Sequence, residues 1–151
     1  MTEARPVTES TDKVAIELQL RYAHPLGDLE PYFGGLARGV AMATRCRKCA
    51  RTWFAPRFAC TCGAMEIDWI ELNGRGTVAA LTTGRASLPG MEVRGDFGFA
   101  LIRMEGADNL CFGRLGGATG DVRAGSAVRL VRADGQWAHP AQCAVYVPDA
   151  R

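Results

Sequence analysis

Four cysteines between residues 46 and 62 constrain this chain more than anything else in it. Cys46-Arg-Lys-Cys49 and Cys60-Thr-Cys62 are two close pairs with ten residues between them. In a secreted chain of this size, six cysteines would suggest three disulfides. Two tight pairs in a reducing compartment instead read as metal ligands. Zinc favours a tetrahedron of thiolates, and two short-spaced pairs joined by a hairpin supply one without a large core. An iron centre of the same thiolate geometry and a degenerate site that binds nothing are the rival readings. Cysteine fills every ligand place, so no position is open to water and a metal held here is structural. Gly63 suits the left-handed backbone that turns amides toward sulfur. Ala50, in the matching place of the first pair, does not, and the second pair is one residue tighter than C-x-x-C.

Arg45, Arg47, Lys48, Arg51 and Arg57 surround the cysteines. They have two readings. Four thiolates on a divalent cation carry about two net negative charges, which nearby cations neutralise. The same side chains could instead meet phosphate, on nucleic acid or on the ADP part of coenzyme A. Over the whole chain, 18 Lys+Arg stand against 16 Asp+Glu, a net charge of +2. That leaves no global field for a polyanion, so any anion recognition is local.

The cysteine module, from Val40 to Gly63, follows two other elements. Val14, Ile16, Leu18, Leu20 and Tyr22 alternate with Ala15, Glu17, Gln19 and Arg21, the period of a strand with one buried face. It is either an edge strand of its own domain or a strand added to a partner's sheet. A short helix is expected after Asp28 as N-cap, with Pro31 in its first turn and Gly39 as its stop. Leu29, Tyr32, Phe33 and Leu36 form its apolar stripe. Gly34 and Gly35 each cost about 1 kcal/mol relative to Ala, so this helix needs something packed on it.

Beyond the cysteines, the segments 66–72, 75–83, 96–104, 109–115, 126–132 and 142–147 are short and rich in β-branched or aromatic residues. NGRG, EGADN, RAGS and RADGQ separate several of them. The spacing predicts a small closed or partly closed barrel. With 151 residues, 48% of them hydrophobic, the chain has the size of one domain with one core. No apolar run approaches the ~18 residues of a membrane span, and the polar opening MTEARPVTESTDK fits neither a secretory signal nor a transit peptide. The expectation is a soluble cytoplasmic protein without a membrane partner.

Cys111 and Cys143 lie in apolar strands and read as small buried hydrophobes. His24 and His139 each precede a proline and read as loop residues. Trp53, Trp69 and Trp137 read as core.

The order of parts resembles the zinc-ribbon/OB-fold family of acyl-CoA-associated proteins. PYFGGLARG, a C-x-x-C knuckle, APR at 55–57, a second knuckle ending in CGA, ELNGRGTV at 71–78 and a closing VYVPDA carry the likeness over about residues 25–148. The resemblance implies a mainly β chain: a rubredoxin-like zinc ribbon with a short N-terminal helix, then an OB-fold barrel. The expected boundaries are 1–39 (strand and helix, docking on a partner), 40–66 (ribbon) and 67–151 (barrel). It further implies structural Zn2+ on Cys46, Cys49, Cys60 and Cys62, and no catalytic residue of its own. Coenzyme A or acyl-CoA would be shared with a thiolase-type catalytic subunit in a hetero-oligomer, with Arg45, Arg47, Lys48, Arg51 and Arg57 as candidate contacts. A family member beside a thiolase that cleaves a benzoylsuccinyl-CoA-type thioester is similar in size and layout. An accessory subunit of an acyl-CoA hydratase and a zinc-ribbon/OB nucleic-acid module are the alternatives, the second disfavoured by the near-neutral charge. A stand-alone metal hydrolase would need an open metal position.

Overall fold

The computed structural model describes residues 23, 25–84, 97–117, 120–133 and 144–149. The alternating segment at 13–22, His24, Trp137, His139 and Cys143 lie outside them. No helix among the described residues is long and apolar enough to cross a membrane.

A 3-10 turn, Gly27–Leu29, leads directly into α1, Glu30–Arg38. Asp28 is therefore not the N-cap. It sits within the 3-10 turn, and the helix starts from Leu29 without a side-chain cap. Gly39 ends the helix as expected, with φ 75° and its amide bonded to Leu36 O at 3.1 Å. Tyr32 and Leu36 are buried, and Phe33 packs against the same core, so these three residues of the stripe are covered by their own chain, while Leu29 stays half-exposed. Gly35 is the reason the helix can lie so close. A Cβ there would stand 2.7 Å from Met42 Cγ and 2.8 Å from Val40 O. The glycine that weakens the helix in isolation is what lets it pack on the strand that follows.

That strand, β1 (Ala41–Cys46), is the centre of a three-stranded antiparallel sheet, between β2 (Thr52–Trp53) and β3 (Ile67–Leu72). β3 was expected to open the barrel. Instead it pairs along its whole length with β1, from Ala41 opposite Leu72 to Cys46 opposite Ile67.

The remaining strands are β4 (Arg75–Gly84), β5 (Phe97–Met104), β6 (Leu110–Leu115), β7 (Ala127–Val131) and β8 (Val145–Pro148). They close into a barrel in the order β4-β5-β6-β8-β7, with β7 returning to pair with the start of β4. β6 and β8 are parallel, and the other pairs are antiparallel. An irregularity between Val78 and Ala80 lets β4 bend from β7 toward β5. The interior takes alternate residues, among them Val78, Ile102, Met104, Val128 and Tyr146. Tyr146 is accommodated because position 113 is glycine: a Cβ there would lie 2.3 Å from the Tyr146 ring. The core is continuous across the small sheet, since Tyr32, Leu36, Ala41, Ala43 and Phe54 belong to the same cluster as the barrel residues. The chain is thus mainly β with one short helix, a cysteine-bearing sheet and a five-stranded OB-type barrel.

Candidate metal centre

Each cysteine pair is presented by a tight turn. In the first, the Ala50 amide bonds to Cys46 O at 2.9 Å, and the Cys46 amide to Arg51 O at 2.9 Å. In the second, the Gly63 amide bonds to Cys60 O and the Cys60 amide to Ala64 O, both at 2.9 Å. Both turns leave through a left-handed residue, Gly63 at φ 83° and Ala50 at φ 58°. Ala50 adopts this conformation despite its Cβ, so the two turns are more alike than their sequences suggest. The Arg47 amide, bonded to Glu66 O at 3.0 Å, ties the first turn to the chain entering β3.

The turns bring the four sulfurs together. Cys46 Sγ is 3.7 Å from Cys62 Sγ, Cys49 Sγ is 3.5 Å from Cys60 Sγ, and all four lie within 4.8 Å of one another. These are free thiols, not disulfides. A tetrahedron with Zn–S arms of ~2.3 Å has edges of ~3.8 Å, close to the two contacts. The donor set and its geometry therefore fit one thiophilic ion held by Cys46, Cys49, Cys60 and Cys62, with no protein position left open. Packed so closely, the thiols perturb one another. The Cys62 backbone amide is the main influence pulling Cys60 down to about 6. At Cys49 the Arg51 amide also pulls down, but hydrogen bonding to Cys60, burial, and the Cys62 and Cys46 thiols outweigh it and raise the group to about 11. A cation would relieve this competition by taking all four as thiolates.

The five cations do not converge on one point. Arg47 donates from Nε to Asp68 Oδ1 at 2.8 Å and forms an ion pair with it. That hydrogen bond holds the Asp68 carboxyl below its ordinary range and raises the guanidinium. Arg57 lies 4.5 Å and Arg51 5.8 Å from the ring centre of Trp53. Arg51 also donates to Thr61 Oγ1 at 2.6 Å, and Arg45 donates from Nε to Ala50 O at 3.3 Å. Lys48 is exposed. Arg45 and Arg51 line a polar groove of about 500 Å³ with Cys49, Thr52 and Asp108. Trp53 is buried, as expected, yet its Nε1 has no partner among the described residues.

Sequence reading missed what fixes this centre to the barrel. Asp108 and Asn109 sit in the turn between β5 and β6 and reach across to β2, an edge strand of its sheet. Asp108 Oδ2 accepts from the Thr52 amide at 2.8 Å, and the Asp108 amide bonds to Thr52 O at 2.9 Å. Asn109 accepts from the Phe54 amide at 2.9 Å and donates to Phe54 O at 2.7 Å. Buried Thr44 accepts from the Arg57 amide at 2.9 Å and fastens the APR segment. EGADN carried only a turn signal, because spacing alone does not reveal a partner more than fifty residues away.

Cys111 is 5% exposed and lies 3.2 Å from the Tyr146 hydroxyl. Burial pushes its thiol up, away from the thiolate a nucleophile requires, in keeping with a core residue.

Residues 69–133 match the family model described as ChsH2, C-terminal OB-fold domain. Among solved structures, the chain superposes on a chain titled "Ltp2-ChsH2(DUF35) aldolase" with a TM-score of 0.62 and 23% identity. The likeness covers 85% of this chain and 98% of that one. A DUF35 protein of unknown function from Sulfolobus solfataricus gives a TM-score of 0.59 at 22% identity, covering 82% and 87%. No curated protein matches. Residues 69–133 thus carry a ChsH2-type OB-fold domain, and the chain as a whole shares the fold of solved DUF35 proteins.

Proposed function

We propose that this chain is a non-catalytic, zinc-binding subunit of an enzyme complex acting on acyl-CoA thioesters, and that its partner is a thiolase-type catalytic subunit. The observation that carries the reading is a cluster of four cysteines able to fill every place around one metal ion, built onto a ChsH2-type barrel. A metal so enclosed organises the chain and does not activate water. The aldolase neighbour is named for two proteins, Ltp2 and ChsH2, and its chain is covered almost end to end, which supports a partner that breaks or makes a carbon–carbon bond. The sequence resemblance to thiolase-associated subunits supports the narrower choice. No feature here favours a hydratase partner.

In this reading Arg45 and Arg51, which line the polar groove, and exposed Lys48 meet the phosphates of coenzyme A at the edge of the partner's site. Arg47 and Arg57 are engaged with Asp68 and Trp53 and chiefly hold the ribbon. Purification from the native source should yield this chain with an acyl-CoA enzyme and one zinc per chain. The isolated chain should turn over no acyl-CoA ester, and the partner should lose activity without it. Activity that follows the isolated chain through purification would overturn the reading. The chain should bind single-stranded DNA weakly at physiological salt, since so few cations neutralise few phosphates; submicromolar binding would favour a nucleic-acid role instead.

A further inference from the structure

The outer face of β5 and β6 carries an exposed apolar patch. Residues on these strands alternate, with Ala100, Ile102, Met104, Cys111 and Leu115 inside the barrel and Leu101, Leu110 and Phe112 outside. Phe112 is 52% exposed, and Leu101 and Leu110 are each 40% exposed. Leu101 and Phe112 are direct cross-strand partners. Beneath Phe112, Phe99 stacks on it with ring centres 5.1 Å apart and planes 18° apart. The two rings, with Ala80, Thr82 and Leu101, line a shallow apolar recess of about 220 Å³. In barrel order β5 and β6 are the second and third strands, the face on which OB folds take their ligands.

Among the described residues, the charges carried by the strands that form the patch have one sign. Arg103 stands opposite Leu110 in the register, and Arg114 opposite Phe99, so a cation flanks each end. β4, β5 and β6 contain no Asp or Glu. The acids of the connecting turn face elsewhere, Glu105 accepting from Asn73 and Asp108 from the Thr52 amide. Neither Arg103 nor Arg114 has an ion-pair partner among the described residues, and Arg114 Nε is buried without a hydrogen bond.

We infer that this face is the docking surface for the catalytic partner, resting on the reading that such a partner exists, and that the partner presents an apolar contact flanked by carboxylates. Phe112, supported from below by Phe99, is the central anchor; exposed aromatics and arginines of this kind dominate interface energetics. Arg103 and Arg114 set the orientation by pairing with the flanking acids. A second copy of this chain fits poorly, because a two-fold contact repeats the same patch on both sides and would set arginine against arginine. Single-stranded nucleic acid could stack on Phe112, but Leu101 and Leu110 widen the patch with aliphatic surface that a base does not need.

The test uses the full chain carrying the photo-crosslinker benzoylphenylalanine at position 112 or, as a control, at exposed Arg123, irradiated in extract of the native source. The protein captured from 112 is identified, purified separately and titrated against the parent chain and against Phe112→Asp, Leu101→Asp and Arg114→Glu. The variants are first checked for unchanged melting and metal content. The expected result is capture of an acyl-CoA enzyme from 112 and not from 123. Its Kd should rise at least ~30-fold for Phe112→Asp, and Arg114→Glu should slow association several-fold at low salt. If the acyl-CoA enzyme copurifies but binds Phe112→Asp as tightly as the parent, the surface is wrong and the functional reading stands. If no such enzyme copurifies with the parent chain, both fail. A crosslink from 112 to a second copy, or oligo-dT binding that Phe112→Asp abolishes, overturns the assignment in favour of those occupants.

Discussion

The cysteine turns and the barrel sit side by side and are held by different forces. The barrel is closed by strand pairing around interior residues such as Ile102, Val128 and Tyr146. Among the described residues, the buried cluster around the sulfurs is Cys46, Cys60 and Ala64, too little apolar surface to hold two turns in place. One region would persist on its core alone; the other, in the proposed reading, depends on a bound ion and on what it borrows from its neighbour. Stability in this molecule is therefore local, and a perturbation should be felt where its force acts.

The largest effect should come from taking away the ion. Chelation, or Cys60→Ser, should leave the two cysteine turns, 47–50 and 60–66, exchanging amide protons freely while β4 to β8 keep their protection, as read by hydrogen exchange. Equal loss in both regions would erase the contrast. Next is Gly113→Ala, which forces a methyl group into the Tyr146 ring. It should destabilise the barrel by ~3 kcal/mol and lower Tm by roughly 10 °C, with the metal content intact. Asn109→Ala strikes the link between the regions. It unpairs the Phe54 amide and carbonyl and should cost ~2 kcal/mol, seen as faster exchange in β2 with little change in β6. The smallest effect runs the other way. Ala50→Gly relieves a left-handed residue and should stabilise the first turn by ~0.5 to 1 kcal/mol, measured as two- to five-fold tighter zinc in competition with a chromophoric chelator; weaker binding would show that the alanine is not strained.

The contrast also explains what the sequence discloses. Barrel strands follow from alternation and turn residues, which are local signals, and the observed strands begin and end within a few residues of the expected ones. That the four cysteines come together follows from their spacing for the same reason. The pairing of β3 with β1 was not legible, since IDWIEL suits either sheet and only the antiparallel register with Ala41–Cys46 decides. The role of Gly35 was hidden because a helix-weakening residue and a close-packing residue are written with the same letter. Phe112 was overlooked because an apolar strand does not announce which of its faces is covered. The five basic residues near the cysteines could be grouped by sequence, but their separate engagements with Asp68, Trp53 and Thr61 needed coordinates.

The grip of Asp108 and Asn109 on the backbone of Thr52 and Phe54 bears on how such chains diverge. Those contacts satisfy main-chain amides and carbonyls, whose need for partners does not depend on whether an ion is bound. A lineage that lost its cysteines would still be under selection to keep this Asp-Asn pair and the length of the turn that carries it. The dipeptide should therefore outlast the metal in descent, marking cousins that no longer bind one.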